Sequence, residues 1–75
     1  ATYWADKNVR CNAMCPGGVE NGQPESFLNK VNSKIPMNRL AQPDEYQGTL
    51  LWMLSDASSY LNGAVVNVDG GRTTW

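Results

Sequence analysis

The chain has 75 residues, six of them basic and seven acidic, no histidine, and a formal net charge of −1. A chain this short forms one domain at most and buries only about 60% of the surface exposed when unfolded, so its stability needs a source beyond a small core. The basic residues are scattered from Lys7 to Arg72 with no stripe to neutralise a phosphate backbone, which argues against a nucleic-acid partner, and the apolar stretches near residues 49–54 and 64–68 are too short to span a bilayer.

No basic region followed by an apolar core opens the sequence, and the expected location is the cytoplasm. The two cysteines, Cys11 and Cys15, fall in a segment that reads as a strand. Four strand residues span roughly 13 Å, whereas bridged cysteines need Cα atoms about 4.4 to 6.8 Å apart, so an intrachain bridge is not expected. Two thiols without histidine also fall short of a four-ligand zinc site. The expectation is no metal and two packed, reduced thiols.

Residues 1–7, with Tyr3 and Trp4, read as the end of a truncated helix. Apolar and polar residues then alternate loosely, and residues 9–15 are predicted to form a strand. Pro16, Gly17 and Gly18 end it, since proline removes a ladder donor and glycine permits turns closed to other residues. Pro24 and Glu25 open a short amphipathic helix carrying Phe27, Leu28, Val31 and Ile35, and Pro36 breaks it.

Pro43, Asp44 and Glu45 give a stronger helix start, with two carboxylates where the helix dipole favours anions, and residues 43–55 are predicted helical. Tyr46, Leu50, Met53 and Leu54 form one apolar stripe on it, and Leu51 with Trp52 make a second, so this helix needs two partners. After the Asn62-Gly63 turn, residues 64–69 read as a strand buried on both faces, closed by Asp69 before two glycines. The strand, helix, helix, strand order predicts an α/β unit whose two strands run parallel through a right-handed crossover.

Four blocks carry a resemblance: Asn8-Val-Arg-Cys-Asn-Ala-Met-Cys-Pro-Gly-Gly-Val19, Pro36-Met-Asn-Arg-Leu-Ala-Gln-Pro-Asp-Glu45, Leu54-Ser-Asp-Ala-Ser-Ser-Tyr-Leu-Asn-Gly63 and Val66-Asn-Val-Asp-Gly-Gly71. In order and spacing they resemble the closing segment of short-chain dehydrogenases/reductases, over essentially the whole chain. The resemblance implies the C-terminal portion of a Rossmann-type, doubly wound parallel sheet, incomplete alone, with its sixth and seventh strands here and a substrate lobe over residues 19–35.

Open parallel sheets bind ligands outside the carboxyl ends of their strands. The resemblance implies that Pro16, Gly17 and Gly18 shape one wall of the nicotinamide site of NAD or NADP, and that the backbone of Val19 hydrogen-bonds the carboxamide. Asn21 stands where many members carry a threonine near the cofactor, a departure that leaves only a side-chain amide for that role. Phe27 and Met37 fall in the substrate lobe.

Tyr3 and Lys7 spell the family's catalytic Tyr-x-x-x-Lys, but Lys7 precedes the strand by two residues and leaves no room for the intervening helix. They align with the end of that helix, where Tyr3 and Trp4 are expected to pack. No catalytic residue is assigned, and the glycine-rich cofactor turn and substrate-orienting serine have no counterpart here. The implied activity is that of a parent oxidoreductase acting on a carbonyl or alcohol; the run from Gly18 to Phe27 and the terminal Thr74-Trp75 resemble bacterial members that modify sugars or flagellin glycans, which hints at a sugar derivative. The isolated chain is expected to bind no cofactor and to be catalytically incompetent. The alternative is a non-catalytic association module, joined either to the missing part of the same fold or to a second copy through the last helix and strand.

Overall fold

A computed structural model describes residues 1–75. Strands β1 (Ala13–Pro16) and β2 (Val65–Val68) form a two-stranded parallel ladder that pairs Ala13 with Val65, Met14 with Val66, Cys15 with Asn67 and Pro16 with Val68. Helices α1 (Glu25–Asn32) and α2 (Gln47–Leu54) lie in the long connection. Short 3-10 turns occupy Ala5–Lys7, Pro43–Tyr46, Asp56–Ser58 and Arg72–Thr74. The α/β order and the parallel pairing agree with the sequence reading.

The ladder starts at Ala13, later than the alternation from Val9 predicts. Before it, asparagine side chains take the place of main-chain partners. Asn12 Oδ1 accepts from Ala64 N at 2.9 Å while its Nδ2 donates to Leu61 O at 2.9 Å, and Asn62 Oδ1 accepts from Cys11 N at 3.0 Å. Gly63 N still donates to Cys11 O at 2.9 Å, and Gly63 takes a positive φ of 77° to do so. Two side chains thus hold the entrance of β2 against β1 where regular pairing has stopped.

Arg10 ties this seam to α2. Its Nη1 donates to Leu61 O at 3.0 Å, and its Nη2 donates to Met53 O at 2.9 Å and, more weakly, to Ser55 O at 3.4 Å. The last carbonyls of a helix have no intrahelical donor, and a cation there also meets the negative end of the helix dipole. Ser58, which is buried, sets its hydroxyl among the carbonyls of Trp52 (2.6 Å) and Met53 (3.0 Å). The end of α2 is therefore satisfied by Arg10, distant in sequence, and by Ser58 just beyond the helix.

The predicted helix over residues 43–55 divides in two. Glu45 N donates to Gln42 O at 3.0 Å, the carboxylate of Glu45 folds back on Gln42 N at 2.9 Å, and the first turn tightens to 3-10 spacing before α2 begins at Gln47. Pro24 sits one position earlier than expected, as the extended residue before α1, and its carbonyl accepts Leu28 N at 3.0 Å.

Only Ile35, Leu40, Met53 and Ser58 are buried. Ile35 lies past the end of α1 and seats on Gly70, where an added Cβ would come within 2.9 Å of Ile35 Cγ2 and where φ is +65°. Pro36 lies against Gly71 and Met37 N donates to Gly70 O at 3.1 Å, so the segment after α1 is anchored on the turn after β2.

The chain exposes 5640 Å², against about 4,600 Å² for a compact monomer of this mass. Its radius of gyration is 15.5 Å, against about 11 Å for a compact chain of this length. Exposed apolar side chains include a cluster on α2, where Leu51 is 67% and Leu54 75% exposed. The expectation that β2 is buried on both faces is not met: Val65 is 64% exposed and no residue of either strand is buried, because a two-stranded ladder has no third layer in this chain. The cysteines are likewise exposed rather than packed. Period-two alternation sets Ala13 and Cys15 on the same open face as Val65 and Asn67, while Met14, Val66 and Val68 turn to the half-covered face.

Replacing Arg10 by alanine removes charged donors from partly buried carbonyls, and the expected loss is about 1.5 to 3 kcal/mol in the folded protein. Urea unfolding of the folded assembly measures it, and an unchanged midpoint would show that the seam does not depend on Arg10.

Candidate functional site: the turn at the carboxyl end of β1

The alternation of a parallel ladder sets Ala13 N and Gly17 N on the β2 side, donating to Ala64 O and Val68 O at 2.9 Å each. Pro16 therefore turns its nitrogen to the other side, where the missing N–H costs no ladder bond. Gly17 and Gly18 are glycines because the turn is crowded. A Cβ on Gly17 would stand 2.9 Å from Asp69 Cα, and one on Gly18 would stand 2.7 Å from Leu40 Cδ2.

Three successive carbonyls of the turn are each held by a different group. Gly17 O accepts the Tyr46 hydroxyl at 3.1 Å, Gly18 O accepts Ala41 N at 3.0 Å, and Val19 O accepts Gln23 Nε2 at 3.0 Å. Glu20 N completes a single parallel bridge between Val19 and Ala41 by donating to Ala41 O at 2.8 Å. Such a bridge uses the groups flanking Val19, so Val19's own N–H and C=O face away from Ala41. The N–H of Gly18 and that of Val19 have no protein acceptor. The turn thus presents fixed peptide planes with free donors.

The remaining sequence-predicted residues divide. Asn21 donates its backbone N–H to Gln23 Oε1 at 2.7 Å, and its exposed side chain makes no hydrogen bond. Met37, on the lobe, lines a cavity of about 110 Å³ together with Arg39, Ala41, Glu45, Val68 and Gly70. Phe27 is 47% exposed on α1 and lies outside that cavity. Tyr3 and Trp4 stack edge to face at 5.2 Å, with Lys7 Nζ 5.8 Å from the Tyr3 ring centre, and both rings are exposed rather than packed into the fold.

Electrostatics at the rim come from two carboxylates that organise backbone. Arg39 grips Glu45 with a forked pair of bonds at 2.6 and 2.9 Å. That hydrogen bonding, joined by Gln42 N–H, lowers the Glu45 carboxyl from its ordinary 4.5 to about 2. Asp69 accepts from Gly71 N at 3.0 Å and Thr73 N at 3.3 Å, and hydrogen bonding from the Thr73 side chain is the main cause that holds its pKa below the usual range. It closes the turn after β2.

Tyr46, Gln23, Leu40 and Ala41 are parts of this site that sequence reasoning did not assign. Tyr46 read as one member of an apolar stripe, and only its hydroxyl distinguished it. Gln23 carried no signal beyond its place in a polar loop.

The family described as "Enoyl-(Acyl carrier protein) reductase" matches residues 1–73. Among curated relatives, the NADH-dependent L-xylulose reductase of Ambrosiozyma monospora is 42% identical, covering 100% of this chain and 30% of the relative. The galactitol 2-dehydrogenase (L-tagatose-forming) of Cereibacter sphaeroides is 38% identical, covering 100% of this chain and 32% of the relative. Among solved structures, a short chain dehydrogenase from Leptospira borgpetersenii serovar Hardjo-bovis with bound NAD+ superposes with a TM-score of 0.91 at 32% identity, over 97% of this chain and 29% of that one. The chain spans about a third of the length of the relatives it matches.

The depressed Glu45 carboxyl sets a pH window. Its clasp is fully present above about pH 4.5, the ordinary carboxyl value, and is lost as pH falls toward 2. A carboxyl-carbon NMR titration should place the Glu45 midpoint near 2, with Gln42 N–H losing protection over the same range. A midpoint at the ordinary carboxyl value would show that Arg39 does not hold it.

Proposed function

This chain belongs to the short-chain dehydrogenase/reductase family, and we propose on that footing that it forms the substrate lobe and one nicotinamide wall of an NAD- or NADP-dependent oxidoreductase. The polypeptide moves a hydride between the cofactor and a carbonyl or alcohol. The two relatives named above act, by name, on a sugar and a sugar alcohol, which supports a polyhydroxylated substrate.

The observation that carries this reading is the backbone of Val19. Its N–H is free, its C=O is already matched to a primary amide, and both face away from Ala41 at the carboxyl end of β1. A carboxamide needs that pairing: a donor for its oxygen and an acceptor for its NH2. The residues present therefore fit a nicotinamide carboxamide, and a bound nicotinamide supplies the hydride donor or acceptor. Tyr46 and Ala41 hold the peptide planes that orient those groups, and Pro16, Gly17 and Gly18 shape the wall beside them. Asn21 lies close enough in sequence to offer an additional side-chain amide. Met37 faces the adjoining cavity, and Phe27 stands on the exposed face of α1, both available to substrate from the lobe.

The exposed apolar groups of α2 and β2 favour a second, compatible role in association. Leu50, Leu51, Trp52, Leu54 and Val65 form surface that calls for a cover. We assign that cover to the remainder of the same fold or to a second copy docked through the last helix and strand. No helix of the chain is long and apolar enough to cross a membrane, and two free, exposed cysteines are in keeping with a cytoplasmic setting.

Two measurements test the division of labour. Titrating NADH into residues 1–75 alone should give no saturable binding, and low-micromolar affinity with turnover would refute it. Sedimentation of the same chain should show self-association or a lack of cooperative structure, and a compact, cooperatively unfolding monomer would contradict the association role.

A further inference from the structure

Gln23 is half-buried and spans the loop after the turn, and its side-chain amide makes two bonds of opposite sense. Nε2 donates to Val19 O at 3.0 Å and Oε1 accepts Asn21 N–H at 2.7 Å. Reversing the amide would set oxygen against oxygen and N–H against N–H, so the two contacts together identify the group on Val19 C=O as an NH2. A primary carboxamide of the chain itself thus sits on the acceptor half of the Val19 edge.

A nicotinamide carries the same functional group, and on the reading above it needs the same carbonyl in the same role. Both amides would reach Val19 C=O from the side that faces away from Ala41. Resting on the cofactor reading, we infer that Gln23 is a built-in competitor, an amide that occupies Val19 C=O until the carboxamide of a nicotinamide displaces it. On displacement Val19 C=O exchanges one N–H donor for another, Val19 N–H gains its first acceptor, and Gln23 swings to solvent. The exchange is nearly balanced in hydrogen bonds at the carbonyl, so the contact lowers cofactor affinity by roughly its own net worth and favours release. It also keeps the loop from Val19 to Gln23 ordered when no cofactor is bound.

The test uses the whole polypeptide that carries these residues, as wild type, Gln23→Ala and Gln23→Met, with dissociation constants read from NADH fluorescence. Methionine keeps the length of the side chain without its amide and guards against a loop that alanine alone disrupts. The second probe is ADP-ribose, a cofactor analogue that lacks the nicotinamide and sets no group against Val19 C=O. Both variants should bind NADH roughly two- to tenfold more tightly than wild type, with the affinity for the analogue unchanged. Unchanged or weaker NADH binding in both variants overturns the competition, as does equal tightening of the analogue, which would mark a general loosening of the loop. If wild type binds neither NADH nor NADPH, the cofactor reading falls and this inference falls with it, whereas wild-type binding that the variants leave unaltered removes the inference alone.

Discussion

A parallel ladder of four residue pairs joins two strands whose connection runs over residues 17–64. Closing so long a connection costs chain entropy that so few ladder bonds offset poorly, and two strands alone do not make an independently stable sheet. The chain meets this constraint with side chains rather than with a core. Arg10 reaches the carbonyls of Met53 and Leu61, and Asn12 and Asn62 bridge the strand entrances. The register they secure decides where β1 ends, and all the candidate chemistry stands at that end.

From this register the site follows by peptide geometry. With Gly17 N committed to Val68 O, the next carbonyls turn outward in succession and are taken up by Tyr46, Ala41 and Gln23. The crowding that favours glycine at positions 17 and 18 comes from the Asp69 backbone and the Leu40 side chain, within the chain. The glycines are thus explained by packing, and the functional weight shifts to the amides beside them. The same turn after β2 that carries Asp69 also seats Ile35 and Pro36 on Gly70 and Gly71, so the turn after β1 and the segment after α1 share one anchor.

The parts legible in the sequence were those set by local pattern. The apolar run at Val65–Val68, the Pro-Gly break after Cys15 and the proline with two carboxylates at Pro43–Glu45 each announce an element through near neighbours. Arg10 and Tyr46 were illegible for the opposite reason. Their partners lie 43 to 51 and 29 residues away, and only the fold brings them together. The expected burial of β2 and of the cysteines failed because composition reports what a strand is suited to, whereas exposure depends on layers that this chain does not supply.

A nicotinamide carboxamide held against the backbone edge of Val19, as proposed, would be reported directly by the Val19 amide. In the whole polypeptide labelled with 15N-valine, NADH should shift the Val19 amide resonance and slow its exchange with solvent, as a free donor acquires an acceptor. A Val19 amide that stays in place and exchanges at the same rate while NADH binds would contradict the central claim.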